Sequence, residues 1–205
     1  MVTNLDNAID FYVSDGTQNN TLTSGSVNSG TWTFTITFAT LGGAAVGDVI
    51  DYFIVAQDVA GTPNVGGNPS SGLVLTDVNT VTTPPTTPLT YTILNTISGA
   101  YTVGSGGAYA TLTAAVAAYN TSCLGGAVTF NLTDATYASE TFPITINANA
   151  DASATNTLTI KPAATVTATI SGSSSSSIFK LNGADYVIID GSNNGSTSRN
   201  LTISN

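Results

Sequence analysis

The clearest pattern in the chain is a strict alternation over residues 31–38. Trp32, Phe34, Ile36 and Phe38 fall on one side, and Thr31, Thr33, Thr35 and Thr37 on the other. Successive side chains of a strand point to opposite faces, so this spacing predicts a strand with one buried and one wet face. Residues 8–13 read as a shorter strand, closed by Asp15-Gly16. Residues 49–56 are apolar at almost every position apart from Asp51, which predicts a central strand covered on both faces. Residues 73–81 and 89–94 supply further strand candidates. Pro84, Pro85 and Pro88 lie between them, and proline cannot donate to a ladder, so an extended connection is expected there.

The pattern changes between Leu94 and Thr129. Ala100-Tyr-Thr-Val103 is followed by a glycine-rich turn at residues 104–107. Residues 109–120 then place Leu112, Ala115, Val116 and Tyr119 at helical spacing, which predicts an amphipathic helix with Gly125-Gly126 beyond its end. Seven short strand-like runs follow, at residues 127–132, 144–146, 157–161, 166–170, 178–181, 186–189 and 201–203. The turn signals among them are Gly172-Ser173, Asn182-Gly183, Asp190-Gly191 and Asn194-Gly195.

Two resemblances attach to these halves. Residues 47–61, with Gly47, Tyr52, Ala56, Asp58 and Gly61 at the matching positions, resemble the late strand and turn of immunoglobulin-like or fibronectin type III-like modules of bacterial surface proteins. That resemblance implies a β-sandwich, with Tyr52 as a corner tyrosine. Tyr109-Ala-Thr-Leu112, Leu158-Thr-Ile-Lys-Pro162, Tyr186-Val-Ile-Ile-Asp-Gly191 and Asn200-Leu-Thr-Ile203 resemble the N-terminal end of right-handed parallel β-helix proteins of the pectin-lyase-like group. That resemblance implies stacked rungs, with the helix covering the first. An uncovered rung exposes apolar surface and unpaired backbone, so a cap is needed. The expected fold is therefore all-β: an immunoglobulin-like β-sandwich over residues 1–94, then the capped start of a right-handed parallel β-helix over residues 95–205. A second β-sandwich is the alternative for the latter half.

Charge narrows the function. The chain of 205 residues carries 3 Lys and Arg against 12 Asp and Glu, no His, and a net charge of -9. No basic footprint exists for nucleic acid or anionic lipid. A charged fraction of 7% with 41% apolar residues fits a folded β protein whose surface is Thr, Ser and Asn. Cys123 is the single cysteine, so no internal disulfide can form, and without a histidine it lacks the partner of a catalytic thiol. It reads as a small buried hydrophobe. No apolar run approaches the length of a membrane helix. Met1-Val-Thr-Asn4 lacks the regions of a signal peptide, so an extracellular reading expects an export signal that was removed or lies upstream of this sequence.

Candidate chemistry is sparse. Asp190-Gly-Ser-Asn-Asn-Gly195 spaces Asp190, Ser192 and Asn194 as alternating oxygen donors before a glycine, which makes these three the candidate calcium ligands. The position that would carry a bidentate Glu holds Leu201. Asp15 with Asn19, or Asp10 with Asp58, are further acidic combinations for calcium. Asp185 and Asp190 are the nearest acid pair for glycoside hydrolysis, which needs two carboxylates across a cleft. Asp-Gly is also an ordinary turn, so no catalytic residue is assigned. Trp32 reads as core; Tyr12, Tyr101 and Tyr137 are open between core and sugar platform. The function expected is an extracellular structural or adhesive protein of a bacterial cell surface. Its expected partners are itself, neighbouring surface proteins or glycans, with self-assembly end to end into a filament as one form. The alternatives are a non-catalytic N-terminal fragment of a polysaccharide lyase or glycoside hydrolase, and a glycan-binding module.

Overall fold

A computed structural model of the chain describes residues 9–14, 19–22, 26–28, 31–33, 43–57, 62, 64–73, 76 and 83–205. The side chain of Trp32, the rest of its alternating run at 34–38, Asp15, Asp58 and most of 73–81 lie outside the described residues, as do the side chains of Asp10, Tyr12 and Asn19. Two compact units are present, Met1–Ile93 and Leu94–Asn205.

The first unit contains β1 (Ile9–Ser14), β2 (Asn19–Leu22), β3 (Ser26–Asn28), β4 (Thr31–Thr33), β5 (Val49–Gln57), β6 (Val65–Asn68) and β7 (Leu89–Thr92). Its main sheet is antiparallel, with β1 between β2 and β5. The far edge of β5 is shared: β7 pairs with its first half and β6 with its second. β3 and β4 form a separate antiparallel pair. The apolar run therefore lies centrally in its sheet. Ile50 is buried on one face of β5 and Phe53 and Val55 on the other, which is why almost every position there is apolar. Tyr52 stands mid-strand, half-buried, opposite Val13 on one side and Leu89 on the other.

The second unit is a β-solenoid of about four turns. It comprises β8 (Thr96–Val103), α1 (Leu112–Asn120), β9 (Cys123–Leu132), β10 (Thr136–Tyr137), β11 (Ile144–Asn147), β12 (Leu158–Pro162), β13 (Ala168–Ser171), β14 (Phe179–Asn182), β15 (Val187–Ile189) and β16 (Leu201–Ser204). All pairings between these strands are parallel. One wall runs β15-β12-β9-β8, a second β10-β13-β16, and a third β11-β14. About thirty residues separate paired positions such as Phe130, Ile160 and Ile189, so each rung is one repeat unit that cannot bury its apolar face alone.

Inward positions form rows: Val128 with Leu158 and Val187, Phe130 with Ile160 and Ile189, Tyr137 with Ile170 and Ile203. Phe130, Leu132, Leu158, Ile160 and Ile170 have no exposed surface. Several outward positions pair with their own kind, although Asn131 meets Lys161, Thr145 meets Lys180 and Thr159 meets Ile188. Thr136, Thr169 and Thr202 make one ladder, Ser171 and Ser204 another, and the Asn182 amide donates to Asn147 Oδ1 at 2.9 Å.

The helix starts at Leu112, three residues later than its apolar spacing suggests. Thr111 is the N-cap, with extended backbone and a hydroxyl that accepts from Ala114 N at 3.1 Å. Tyr109 instead bridges Val103 in parallel and packs its ring on Tyr101 and Phe130, at centroid distances of 5.6 and 5.8 Å. A core-facing aromatic satisfies helical and extended spacing alike, and the threonine cap settles which is used.

Helix α1 takes the place of a strand above β11. Asn120 donates from Nδ2 to Thr145 O and accepts at Oδ1 from Asn147 N, both at 2.9 Å. Its side chain thus pairs with the strand edge as a backbone would. Rung loops close the helix ends. Glu140 accepts from Leu112 N at 2.7 Å, Thr113 N at 2.6 Å and the Thr113 hydroxyl at 2.5 Å. Asn149 Nδ2 donates to Ser122 O at 2.9 Å and Tyr119 O at 3.3 Å.

Two buried tyrosines in this region make opposite predictions. The Tyr137 hydroxyl donates to Val103 O and accepts from Asp134 N at 3.1 Å. The Tyr119 hydroxyl is buried without a partner. Tyr137→Phe is expected to cost about 1–2 kcal/mol, because it leaves Asp134 N without its acceptor, while Val103 O keeps its bonds from Thr133 N and Oγ1. Tyr119→Phe removes an unpaid desolvation and is expected to hold stability or raise it by up to about 1 kcal/mol. Urea unfolding of the two variants, followed by circular dichroism, checks the difference in sign.

Candidate functional site

Three of the polar residues singled out in the sequence, Asp190, Ser192 and Asn194, share the loop between β15 and β16, while Asp185 precedes β15. Asp190 directly follows β15, and its N–H donates to Ile160 O at 3.0 Å, extending the pairing with β12 by one residue. That register sets Asp190 beside Lys161. Asp190 Oδ2 lies 3.2 Å from Lys161 Nζ, the pair being about a quarter exposed. Asp190 Oδ1 accepts from Ser192 N at 2.8 Å. The Ser192 amide does most to hold this carboxyl below its ordinary range; desolvation opposes it, and the hydrogen bond and charge of Lys161 add to the lowering.

Ser192 is buried, and its hydroxyl organises the loop. It donates to Asn194 Oδ1 at 2.9 Å and accepts from Ser196 N at 3.0 Å. Asn193 anchors the loop to the rung above through Nδ2 and Val166 O at 2.8 Å. Asn200 N donates to Gly191 O at 2.7 Å and closes it. Asn200 Nδ2 reaches Thr167 Oγ1 at 3.1 Å, while its Oδ1 is buried without a partner.

Asp190, Ser192 and Asn194 are therefore brought into one loop, with their oxygens turned to different tasks. The Asp190 carboxylate faces an ammonium and a backbone N–H, and the Ser192 and Asn194 oxygens face each other. Calcium takes six to eight oxygen ligands, so its entry here requires Lys161 to leave Asp190. Among the described residues, no three of His, Cys, Asp and Glu stand together as a metal site.

Three of the remaining carboxylates of the solenoid hold its turns or its helix, while Asp185 is exposed. Asp134 accepts from Ser105 N at 2.8 Å, Asp151 from Leu124 N at 3.0 Å, and Glu140 caps α1. The three cations stand apart: Lys161 on the first wall, Lys180 on the third, and Arg199 in the loop before β16. Tyr137 is buried and Tyr101 half-buried against Phe130, so neither is a sugar platform. Among the described side chains the exposed tyrosines are Tyr91 and Tyr186, which the sequence did not single out as sugar platforms. Cys123 is half-buried at the start of β9, rather than fully enclosed.

Titration adds a test of the cap. Burial holds Tyr109, Tyr119 and Tyr137 above the ordinary phenol value; the Tyr101 charge adds at Tyr109 and the Asp134 charge at Tyr137, where hydrogen bonds to Asp134 and Thr133 oppose. A raised folded value means stability is fully present below the unfolded phenol pKa of about 10 and is lost as pH rises through the folded values. The melting temperature is expected to fall steeply above that pH, with phenolate absorbance rising in step with unfolding. Asp190 has the reverse sign: its contribution is present above the ordinary carboxylate range and fades as pH falls through its lowered value.

No family model, curated protein or solved structure matches the chain. The fold stands as an all-β chain with a parallel β-solenoid. No helix among the described residues is long and apolar enough to cross a membrane.

Proposed function

We propose that the chain is an extracellular structural or adhesive protein of a bacterial surface, made of an immunoglobulin-like module and a right-handed, pectin-lyase-like β-helix. The supporting observation is where the charged groups go. In the solenoid, Asp134, Glu140, Asp151 and Asp190 are each engaged in holding backbone or a turn, and much of the outward surface is Thr, Ser and Asn, as in the Thr136–Thr169–Thr202 row, interrupted at Lys161, Lys180 and Ile188. Such a face offers many weak hydrogen bonds to glycans or neighbouring proteins at a repeat of about 4.8 Å.

Self-assembly end to end, strand edge on strand edge, is one form of this reading. Ile189, Ile203 and Leu181 continue rows that are buried in the rungs above, yet are 41%, 42% and 57% exposed. A parallel strand stacked on that edge would bury them and pair the free backbone groups. Electron microscopy of the purified chain, with sedimentation across a concentration series, tests it. Filaments or concentration-dependent oligomers that vanish in Ile189→Asp and Ile203→Asp support assembly. Discrete monomers at all concentrations overturn it.

The glycan-binding alternative places recognition on Tyr91 and Tyr186, and predicts that Ala at one of them weakens retention on a polysaccharide column. The enzyme-fragment alternative predicts no hydrolysis by this chain alone. Calcium at Asp190, Ser192 and Asn194 predicts a rise in melting temperature with added calcium that Asp190→Asn removes.

A further inference from the structure

We propose that Asn194–Gly195 is a self-modifying site, at which the loop promotes cyclisation of its own asparagine to a succinimide. The chain contains two Asn-Gly pairs, Asn182-Gly183 and Asn194-Gly195, and the structure treats their carboxamides in opposite ways. At Asn194 the oxygen is gathered in. Oδ1 has the Ser196 hydroxyl at 2.7 Å, the Ser192 and Ser198 hydroxyls each at 2.9 Å, and Ser196 N at 3.0 Å. A backbone N–H can only donate, so the atom facing Ser196 N must be the oxygen, which fixes the amide's orientation. Asn194 Nδ2 makes no hydrogen bond among the described residues, and neither does Gly195 N. At Asn182 the arrangement is reversed: Nδ2 is held by Asn147 Oδ1 at 2.9 Å, and the residue closes β14.

The chemistry follows from that contrast. Gly195 N gives up its proton to solvent base and attacks Asn194 Cγ. The electron pair of the C=O moves to Oδ1, giving a tetrahedral oxyanion. The Cγ–Nδ2 bond then breaks, Nδ2 takes a proton from solvent, and ammonia leaves. Water opens the resulting ring at either carbonyl, leaving aspartate or isoaspartate at position 194. The balance is one water consumed and one ammonia released, with no oxidant or reductant. Donors already aimed at the developing oxyanion lower the barrier without reorganisation. Gly195 has φ +72° and open space where a Cβ would be, so the attacking nitrogen carries no steric shield. The leaving amide at Asn194 is unheld, whereas the one at Asn182 is tied into a ladder. The product adds a negative charge four residues from Asp190 and removes the amide on which Ser192, Ser196 and Ser198 converge.

The test is incubation of the purified chain in mildly alkaline buffer below its unfolding transition. Peptide mass mapping, isoaspartate detection and ammonia release are followed over time. Asn182 in the same molecule is the internal reference. Conversion at Asn194 is expected to be at least about tenfold faster than at Asn182, and Ser196→Ala to slow it about three- to tenfold while leaving Asn182 unchanged. Ser198→Ala, which removes a second donor, is expected to act in the same direction. Ser196 is exposed, so its hydroxyl can be removed without disturbing the core. Equal or faster conversion at Asn182 overturns the proposal. So does acceleration at Asn194 in both serine variants, because that would make the hydrogen bonds a brake on a loose loop.

Discussion

Phe130→Ala is expected to lower the unfolding free energy of the solenoid by about 4 kcal/mol. Phe130 is fully buried in β9, with Tyr101 opposite on β8 and Ile160 opposite on β12. Its ring centroid lies 6.3 Å from that of Tyr101 and 5.8 Å from that of Tyr109, both edge-on. Truncation loses the transfer free energy of the ring and leaves a hole between rungs. The neighbours cannot collapse into it, because parallel ladders hold the strands above and below at a fixed spacing. Phe130→Leu keeps most of the volume and is expected to cost less than half as much. Urea unfolding checks this. The single tryptophan, Trp32, lies in the first unit, so circular dichroism rather than tryptophan fluorescence follows the solenoid. A loss for Phe130→Ala near 1 kcal/mol would mean that the first two rungs do not share one continuous core.

Glu140→Ala is expected to cost about 2–3 kcal/mol, more than an ordinary surface carboxylate, because three donors lose a charged acceptor at once. The first turn of α1 holds no acidic residue of its own, so the helix N-terminus depends on a carboxylate from a loop 28 positions further on. Glu140→Gln is informative beside it. One amide oxygen can still accept from Leu112 N or Thr113 N, but the amide nitrogen then faces the other donor. The glutamine is therefore expected to recover about half of the loss. Hydrogen exchange at the Leu112 and Thr113 amides reads the effect locally: both lose protection in Glu140→Ala, while those of β12 stay slow. Uniform loss of protection across all rungs would show instead that the cap and the solenoid unfold as one unit.

These two positions also mark how far the sequence can be read. Phe130 sits in an alternating run of β-branched and apolar residues, so its strand and its inward side are legible from period two alone. The same holds for β5, β12, β13, β14 and β16, whose bounds fall within one or two residues of their apolar runs. Glu140 is not legible. Nothing in Ala138-Ser-Glu-Thr141 says that its carboxylate closes a helix beginning at Leu112. β8 is longer than the four residues that mark it, and β10 is too short to show a period. Both are defined by ladder partners rather than by their own composition.

The candidate site divides in the same way. That residues 190–195 form a turn follows from Asp-Gly and Asn-Gly, whose local hydrogen bonding favours turns wherever they occur. That Asp190 pairs with Lys161 follows only from the rung register, which sets Asp190 beside the strand above. A gap of one rung carries no sequence signal for which side chains will meet. Likewise the sequence shows an asparagine before a glycine twice, and only the fold distinguishes them: one carboxamide is locked in a ladder, and the other is turned with its oxygen into three hydroxyls.

By itself, then, the sequence determined the all-β character, the change of architecture near Leu94 and the existence of one helix. These depend on periodicity and on glycine, proline and asparagine chemistry, which act over a few residues. The tertiary structure decided the rest: where the helix begins, which carboxylate caps it, how Lys161 and Asp190 meet, and which asparagine is poised to react. Those depend on contacts about one rung apart, and only the stacking of parallel strands makes such distant residues neighbours.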